Sequence, residues 1–133
     1  MSVVAGIVLG AFAVLLIAFT VTTFAKPAIA ERFVSAFASS ARAHYVEQVC
    51  RSLVGAALIV RSPMMRQSQA YSLVGWAVVV SASALLCLPW RWHQRFAERV
   101  RPLLVRRLRL YALGAFAFGA VLLYGLIAGC AAE

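Results

Sequence analysis

The sequence predicts an all-α membrane protein with four transmembrane helices and two short amphipathic interfacial helices on the cytoplasmic side. Three long segments without charge carry most of this prediction, namely residues 1–25, 67–90 and 110–132. Each is long enough for the ~20 residues that a helix needs to cross a bilayer. Hydrophobic residues make up 64% and charged residues 13% of the chain, against roughly 45–50% and ~25% in soluble domains. We therefore treat residues 1–133 as a single transmembrane domain.

The first predicted span covers about residues 3–25. Its first positive charge, Lys26, follows the apolar run, whereas a secretory signal carries its positive charges before that run. A positive flank on this side retains the following loop in the cytoplasm and leaves the N-terminus outside. We interpret the segment as an uncleaved anchor, and the alternative is a signal peptide that is cut near Ala25.

The second predicted span, about residues 46–62, is weaker because it contains charged residues. Glu47 and Arg51 are spaced i,i+4, so the two side chains can pair on one face of a helix. Arg51 can also extend toward the nearer interface. We interpret Glu47 and Arg51 as an intramembrane polar pair near the interface, and the alternative is a functional polar site that includes His44.

The distribution of Lys and Arg favours four crossings over three. The third and fourth predicted spans cover about residues 70–88 and 110–131. With four crossings, the loops before the second and fourth spans share a side and carry ten of the 13 Lys and Arg residues. Three crossings would place one strongly basic loop outside, against the positive-inside rule. We therefore expect a multi-pass membrane protein with both termini outside the cytoplasm.

Both basic loops show apolar residues at helical spacing. In the segment of about residues 28–45, Ile29, Phe33 and Phe37 recur every four residues, and in the segment of about 91–101, Trp92 and Phe96 do the same. On a helical wheel, five arginines share one side next to the second stripe: Arg91, Arg95, Arg99, Arg106 and Arg109. We expect Pro102 to break or bend this helix.

Cationic amphipathic helices of this kind lie in the membrane interface. We therefore expect the aromatic and arginine side chains of residues 91–109 to contact membrane lipids, in particular the anionic headgroups of the cytoplasmic face. The alternative is that the apolar stripes pack on the helix bundle or on a membrane-protein partner. We expect no nucleic-acid partner, since lipid and topology explain the net charge of +9.

Small residues in the spans predict close helix packing, either within the chain or in a homo-oligomer. Two GxxxG motifs allow helix backbones to approach, and their glycines are Gly6, Gly10, Gly125 and Gly129. A weak internal echo pairs the Gly-Ala-Ala-Leu-Ile-Val run at Gly55 with Gly-Ala-Val-Leu-Leu-Tyr at Gly119. Each run begins thirteen residues after an arginine, which leaves open a parallel repeat of the kind found in transporters.

The sequence offers no catalytic, cofactor-binding or metal-ligating motif. The three cysteines, Cys50, Cys87 and Cys130, lack metal-ligand spacing and are interpreted as packing residues. The two histidines, His44 and His93, are interpreted as interfacial polar residues, with haem ligation as a weaker alternative. The chain has no Asp and four dispersed acidic residues, so no acid/base pair suggests itself. We expect no enzyme activity, no cofactor and no metal.

Four stretches carry a resemblance to known proteins. They are Phe37-Ala-Ser-Ser-Ala-Arg-Ala-His-Tyr-Val-Glu-Gln, Ser62-Pro63, Gly75-Trp76 and Leu88-Pro-Trp-Arg-Trp-His-Gln-Arg-Phe-Ala97. Together they resemble an uncharacterised family of small four-helix bacterial inner-membrane proteins, over most of residues 24–128. The resemblance implies a location in the bacterial inner membrane, where termini outside the cytoplasm are periplasmic. It brings no activity, cofactor or catalytic residue.

Three functional hypotheses follow. The first is a non-enzymatic scaffold or accessory subunit of a bacterial inner-membrane assembly. The second is a small oligomeric transporter or channel, motivated by the repeat and by the pair Glu47 and Arg51. The third is an electron-transfer subunit that binds a cofactor through His44 and His93. The depth of Glu47 separates the first two, because a transport pathway needs an ionisable group in a water-filled cavity near mid-bilayer.

Overall fold

The computed structural model describes residues 1–36 and 39–130, and the described part of the chain is helical without strands. The helices are α1 (Ser2–Ala25), α2 (Pro27–Ala36), α3 (Ala41–Arg61), the 3₁₀ turn η1 (Ser62–Met64), α4 (Ser68–Cys87), α5 (Trp90–Arg106) and α6 (Leu108–Cys130). Three helices in this part of the chain are long and apolar enough to cross a membrane, namely α1, α4 and the Leu108–Gly129 part of α6. The predicted class, a helical membrane protein, agrees with this structure.

Four long helices form an antiparallel bundle. α3 packs against α4 and α1, and α1 packs against α6. The side chain of Arg61, at the end of α3, lies beside Gly6 near the start of α1, so these two helices run in opposite directions. Gly119 of α6 lies against the carbonyl of Ala13 in α1. α2 and α5 lie at one end of the bundle, called here the α2/α5 end, and η1 lies at the other, the η1 end.

The core of the bundle is small and consists mainly of aliphatic residues. Leu9, Leu58 and Leu122 are completely buried where α1, α3 and α6 meet, and Met65 and Tyr71 extend this core toward the η1 end. The hydroxyl of Tyr71 donates a hydrogen bond to the backbone carbonyl of Val121, 2.9 Å away, which joins α4 to α6. Many other large apolar side chains point outward from the bundle, as expected of helices that are surrounded by lipid.

The segment predicted as one amphipathic helix, residues 28–45, is divided in the structure. α2 ends at Ala36, and Ser40 starts a new helix, because its Oγ accepts a hydrogen bond from the backbone N–H of Ala43 at 3.2 Å. This is the geometry of a serine N-cap. Residues 41–45 therefore belong to α3, which begins five residues before the predicted span of 46–62. Phe37 lies outside the described residues.

The second amphipathic segment is longer than predicted. α5 continues through Pro102 to Arg106, whereas the prediction ended the helix at residue 101. Proline removes one backbone hydrogen bond, the one to the carbonyl of Glu98. Both residues are exposed, and the helix continues past the proline to Arg106. The break occurs at Arg107, and α6 starts at Leu108, two residues before the predicted span of 110–131; residue 131 lies outside the described part.

Candidate functional site

The surface of α5 is the first candidate site. No residue of this helix is fully buried, and the helix touches α3, α4 and α6 only lightly. Trp92 and Phe96 are 66% and 64% exposed and point away from the bundle. Together with Arg95 and Arg99 they line a shallow groove of about 230 Å³. Two aromatic rings and two guanidinium groups therefore form one continuous outer surface.

The predicted arginine face is divided by the break at Arg107. Arg91, Arg95, Arg99 and Arg106 lie on α5 and are exposed. Arg109 is also exposed, but it lies in α6, beyond the break. The prediction of five arginines on one helical side is therefore wrong for Arg109, because the wheel assumed an unbroken helix. Four of the five residues share the helix of the Trp92 and Phe96 stripe.

The second candidate site is a polar cluster at the start of α3. Nε of Arg51 lies 3.6 Å from Oε1 of Glu47, which is the ion pair that their spacing predicts. The Arg51 side chain is exposed and that of Glu47 is largely enclosed. The other carboxylate oxygen of Glu47 is buried and has no hydrogen-bond partner among the described residues. Glu47 is the seventh residue of α3, so it lies about 9 Å along the helix from its first residue.

His44 and Gln48 extend this cluster inward. Both residues are 0% exposed. Neither nitrogen of the His44 ring and neither polar atom of the Gln48 side chain has a hydrogen-bond partner within residues 1–36 and 39–130. Gln48 is not among the site residues that the sequence predicts. Its spacing of four residues from His44 was the available signal, because it places both polar side chains on one face of the helix.

The structure brings the two histidines together. The ring of His93, on α5, lies against the ring of His44, with the two centroids 4.8 Å apart and the planes 47° from each other. Burial lowers the pKa of the His93 imidazole below its usual value. Glu47 opposes this shift, and His44 and Arg51 add to it. The neutral form of His93 is therefore favoured in this contact.

The geometry of the histidine pair does not fit haem ligation. A haem held by both rings places its macrocycle between them, but these rings pack directly on each other. Among the described residues, no group of three or more His, Cys, Asp or Glu side chains is arranged to hold a metal ion. The hypothesis of an electron-transfer subunit thus finds no support at this position.

The predicted packing glycines have different surroundings. A side chain at Gly125 would collide with the Tyr71 hydroxyl and the Met65 side chain, and one at Gly129 would collide with the backbone of Met64. This motif therefore packs within the chain. At Gly6 the nearest atom is Nε of Arg61, 3.9 Å from an added Cβ, and at Gly10 no atom lies within 4 Å. Gly10 takes no part in a close contact.

Two exposed cysteines and a groove at the η1 end lie apart from the two candidate sites. Cys50 and Cys87 are free and exposed; the Cys130 side chain lies outside the described part of the structure. A groove of about 470 Å³ at the η1 end carries hydroxyl, amide and indole groups and no charged side chain. It is lined by Ser62, Pro63, Ser68, Gln69, Ser72, Leu73 and Trp76.

The fold and these two sites define a small helical protein with three candidate membrane spans, a cationic surface helix and a buried polar cluster beneath it. Comparisons of the chain with protein-family models, with curated proteins and with solved structures gave no match.

Proposed function

We propose that this protein is a non-enzymatic scaffold or accessory subunit of a bacterial inner-membrane assembly, with α5 as its contact surface at the cytoplasmic face. In this proposal α1, α3, α4 and α6 all cross the membrane and both termini are periplasmic. Membrane lipids with anionic headgroups contact the arginines of α5, and a membrane-protein partner or a second copy of the chain packs beside the bundle.

The length, direction and charges of α3, together with the distribution of Lys and Arg, support four crossings. α3 has 21 residues, so its length is about 31 Å, similar to the hydrocarbon thickness of a bilayer. It lies antiparallel to α1 and α4, which are two of the candidate spans. Its charged residues lie near its ends or, in the case of Glu47 and Arg51, form an ion pair. The α2/α5 end then carries ten of the 13 Lys and Arg residues, which favours the cytoplasmic side for it.

The single observation that carries the proposal is the outer surface of α5. Trp92 and Phe96 are large, apolar and mostly exposed, and Arg95 and Arg99 lie beside them. A helix face with exposed aromatic and arginine side chains is complementary to a surface that is both apolar and anionic. The inner membrane interface is such a surface. Glu47 lies about 9 Å from the start of α3, nearer the α2/α5 end than the middle of the helix, whereas its partner Arg51 is the middle residue of α3.

The test of the lipid contact is quenching of Trp92 fluorescence by brominated lipids in liposomes. The protein carries three tryptophans, so Trp76→Phe and Trp90→Phe leave Trp92 as the single reporter. We expect strong quenching by bromines placed near the headgroup end of the acyl chains and weak quenching by bromines at the chain ends. Absence of quenching at every depth would contradict the proposal.

The scaffold role is tested by purification from native membranes in a mild detergent. We expect at least one partner at constant stoichiometry, and we expect Trp92→Ser with Phe96→Ser to release it. Ile29→Ser is the matched control, because Ile29 is an exposed apolar residue on α2 at the same end of the bundle. A chain that purifies alone as a monomer would overturn the scaffold proposal without affecting the lipid contact.

A second candidate, a small oligomeric transporter or channel, is favoured by one observation. His44 and Gln48 are buried polar side chains without hydrogen-bond partners in the described residues, and intramembrane polar groups often mark ion pathways. Proteoliposomes with a pH-sensitive dye inside test this candidate. A proton flux that Gln48→Leu removes would favour it over the scaffold.

A further inference from the structure

The contact between α5 and α3 contains polar groups that ordinary packing does not explain. His44 and Gln48 are completely enclosed and lack hydrogen-bond partners within the described ranges. Buried polar groups are almost always paired in native proteins, so an unpaired one calls for an explanation beyond packing. His44 and Glu47 are three residues apart in α3, so their side chains lie on the same side of the helix.

α5 contributes a second imidazole ring, that of His93, to this polar cluster. His93 places its ring directly on that of His44, with the centroids 4.8 Å apart. α5 has no fully buried residue and only light contacts with the rest of the bundle. The histidine pair is therefore one of the few side-chain contacts that can hold α5 in its position.

We propose that His93, packed on the enclosed ring of His44, fastens α5 to α3 while its imidazole is neutral and frees α5 when that imidazole takes up a proton. A charge on the His93 imidazole is disfavoured while the ring is partly enclosed against His44, and it is better solvated once the ring leaves His44. Proton uptake and release of α5 are thus linked.

The groups around His93 set the direction of the pH response. On α3, Glu47 favours the charged imidazole, whereas His44 and Arg51 disfavour it; Tyr45 contacts the His44 ring by its edge. Burial is the largest effect, and it lowers the pKa of His93 below the usual 6.5. A freed, solvated His93 regains that usual pKa, so the freed state binds more protons at mildly acidic pH.

The linkage then has a definite sign. Docking of α5 is fully stable above about pH 6.5, the usual pKa of the freed imidazole. It weakens as the pH falls below this value and through the lower pKa of the docked ring. Each unit between the two pKa values changes the docking equilibrium about tenfold. The inference concerns α5 and α3 alone and does not depend on whether α5 contacts lipid.

The experiment measures the distance between α3 and α5 in uncharged detergent micelles, which excludes effects of anionic lipid. Spin labels are attached to the native Cys50 on α3 and to Leu103→Cys on α5, since both positions are exposed. Cys87→Ser and Cys130→Ser remove the other thiols. We expect one narrow distance distribution at pH 8 and a second, broader population at pH 5.5, measured by pulsed electron paramagnetic resonance.

Three variants make the test specific. His93→Gln cannot be protonated at this position, and we expect it not to respond to pH. His44→Phe keeps His93 against an aromatic ring, and we expect it still to respond. Arg95→Gln removes an exposed charge two residues from His93, and we expect it to respond like the parent protein. If His93→Gln frees α5 at both pH values, His93→Phe, which keeps a neutral ring, replaces it in the comparison. A parent protein without a pH response, or a response that persists in His93→Gln or His93→Phe, would overturn the inference.

Discussion

Gly55 of α3 and Gly75 of α4 face each other where the two helices cross. A Cβ atom added to Gly75 would lie 2.9 Å from the carbonyl oxygen of Gly55, and one added to Gly55 would lie 3.0 Å from the carbonyl oxygen of Gly75. Both glycines are buried. Their lack of a side chain therefore sets the distance between α3 and α4.

The first prediction is that Gly75→Ala destabilises the protein. The new methyl group would also meet Ile59 and Leu58 at about 3 Å, so the helices must separate, which costs roughly 1–3 kcal/mol as in other overpacked cores. Gly10→Ala is the matched control, since no atom lies within 4 Å of an added Cβ there; we expect it to leave stability unchanged or to raise it, because alanine favours helix. Unfolding in mixed detergent micelles measures both. Equal stability of the two variants would contradict the predicted contact.

The second prediction concerns the contact between α1 and α6. Oγ1 of Thr20 donates to the backbone carbonyl of Ala112 at 2.8 Å, and it also lies 3.0 Å from the carbonyl of Leu16 in its own helix. We expect Thr20→Val to lower the free energy of unfolding by about 0.6–1.7 kcal/mol, the range for hydrogen bonds between transmembrane helices.

Thr22→Val is the control for this prediction. The Thr22 hydroxyl donates to the carbonyl of Ala18, within its own helix, at 2.8 Å. Its replacement removes a hydrogen bond of the same chemistry that joins α1 only to itself among the described residues. If both variants unfold at the same denaturant concentration, the bond between α1 and α6 contributes nothing measurable.

The third prediction concerns the arginines of α5. If they contact lipid phosphates, their effects are a sum of screened charges, so single Arg→Gln changes at residues 91, 95, 99 and 106 should each weaken binding of anionic lipid slightly. Replacing all four should weaken it strongly, and adding Arg109→Gln should contribute less, because this residue lies beyond the break at Arg107. Native mass spectrometry of the protein with bound lipids measures the occupancy. One substitution that abolishes binding while the others do nothing would indicate a discrete ligand site.

The fourth prediction is the topology of the proposed four-crossing arrangement. Reporter fusions near positions 40 and 100 should be active only with a cytoplasmic reporter, and a fusion after Glu133 only with a periplasmic one. The physical reason is the concentration of Lys and Arg at the α2/α5 end of the bundle. A cytoplasmic C-terminus would rule out this topology.

The strongly apolar helices could be predicted from the sequence because their signal is local. An absence of charge over more than twenty residues decides the length of α1, α4 and α6 almost alone. The start of α3 could also have been found, since Ser40 precedes it and serine is a favoured N-cap. The end of α5 could not be predicted, because proline usually breaks a helix, whereas α5 continues through Pro102 to Arg106.

The candidate sites depend on contacts between distant parts of the chain. The ion pair of Glu47 and Arg51 follows from their spacing on one helix. In contrast, the contact of His44 with His93 requires α5 to fold back onto α3, and no local pattern specifies that angle. The same holds for the glycines: Gly10 and Gly125 belong to identical motifs, yet only the rotation of each helix in the bundle decides which of them meets a neighbour.

The single non-helical residue Arg107 connects α5 directly to α6, so a displacement of one helix acts on the other. α5 has 17 residues, so it forms an arm of about 25 Å whose far end follows the extended residues Leu88 and Pro89. A displacement of this arm reaches α6 at Leu108, four residues before Ala112, which accepts the hydrogen bond from Thr20. In the proposed arrangement, a partner that displaces α5 would therefore act on α6 close to the hydrogen bond between Thr20 and Ala112.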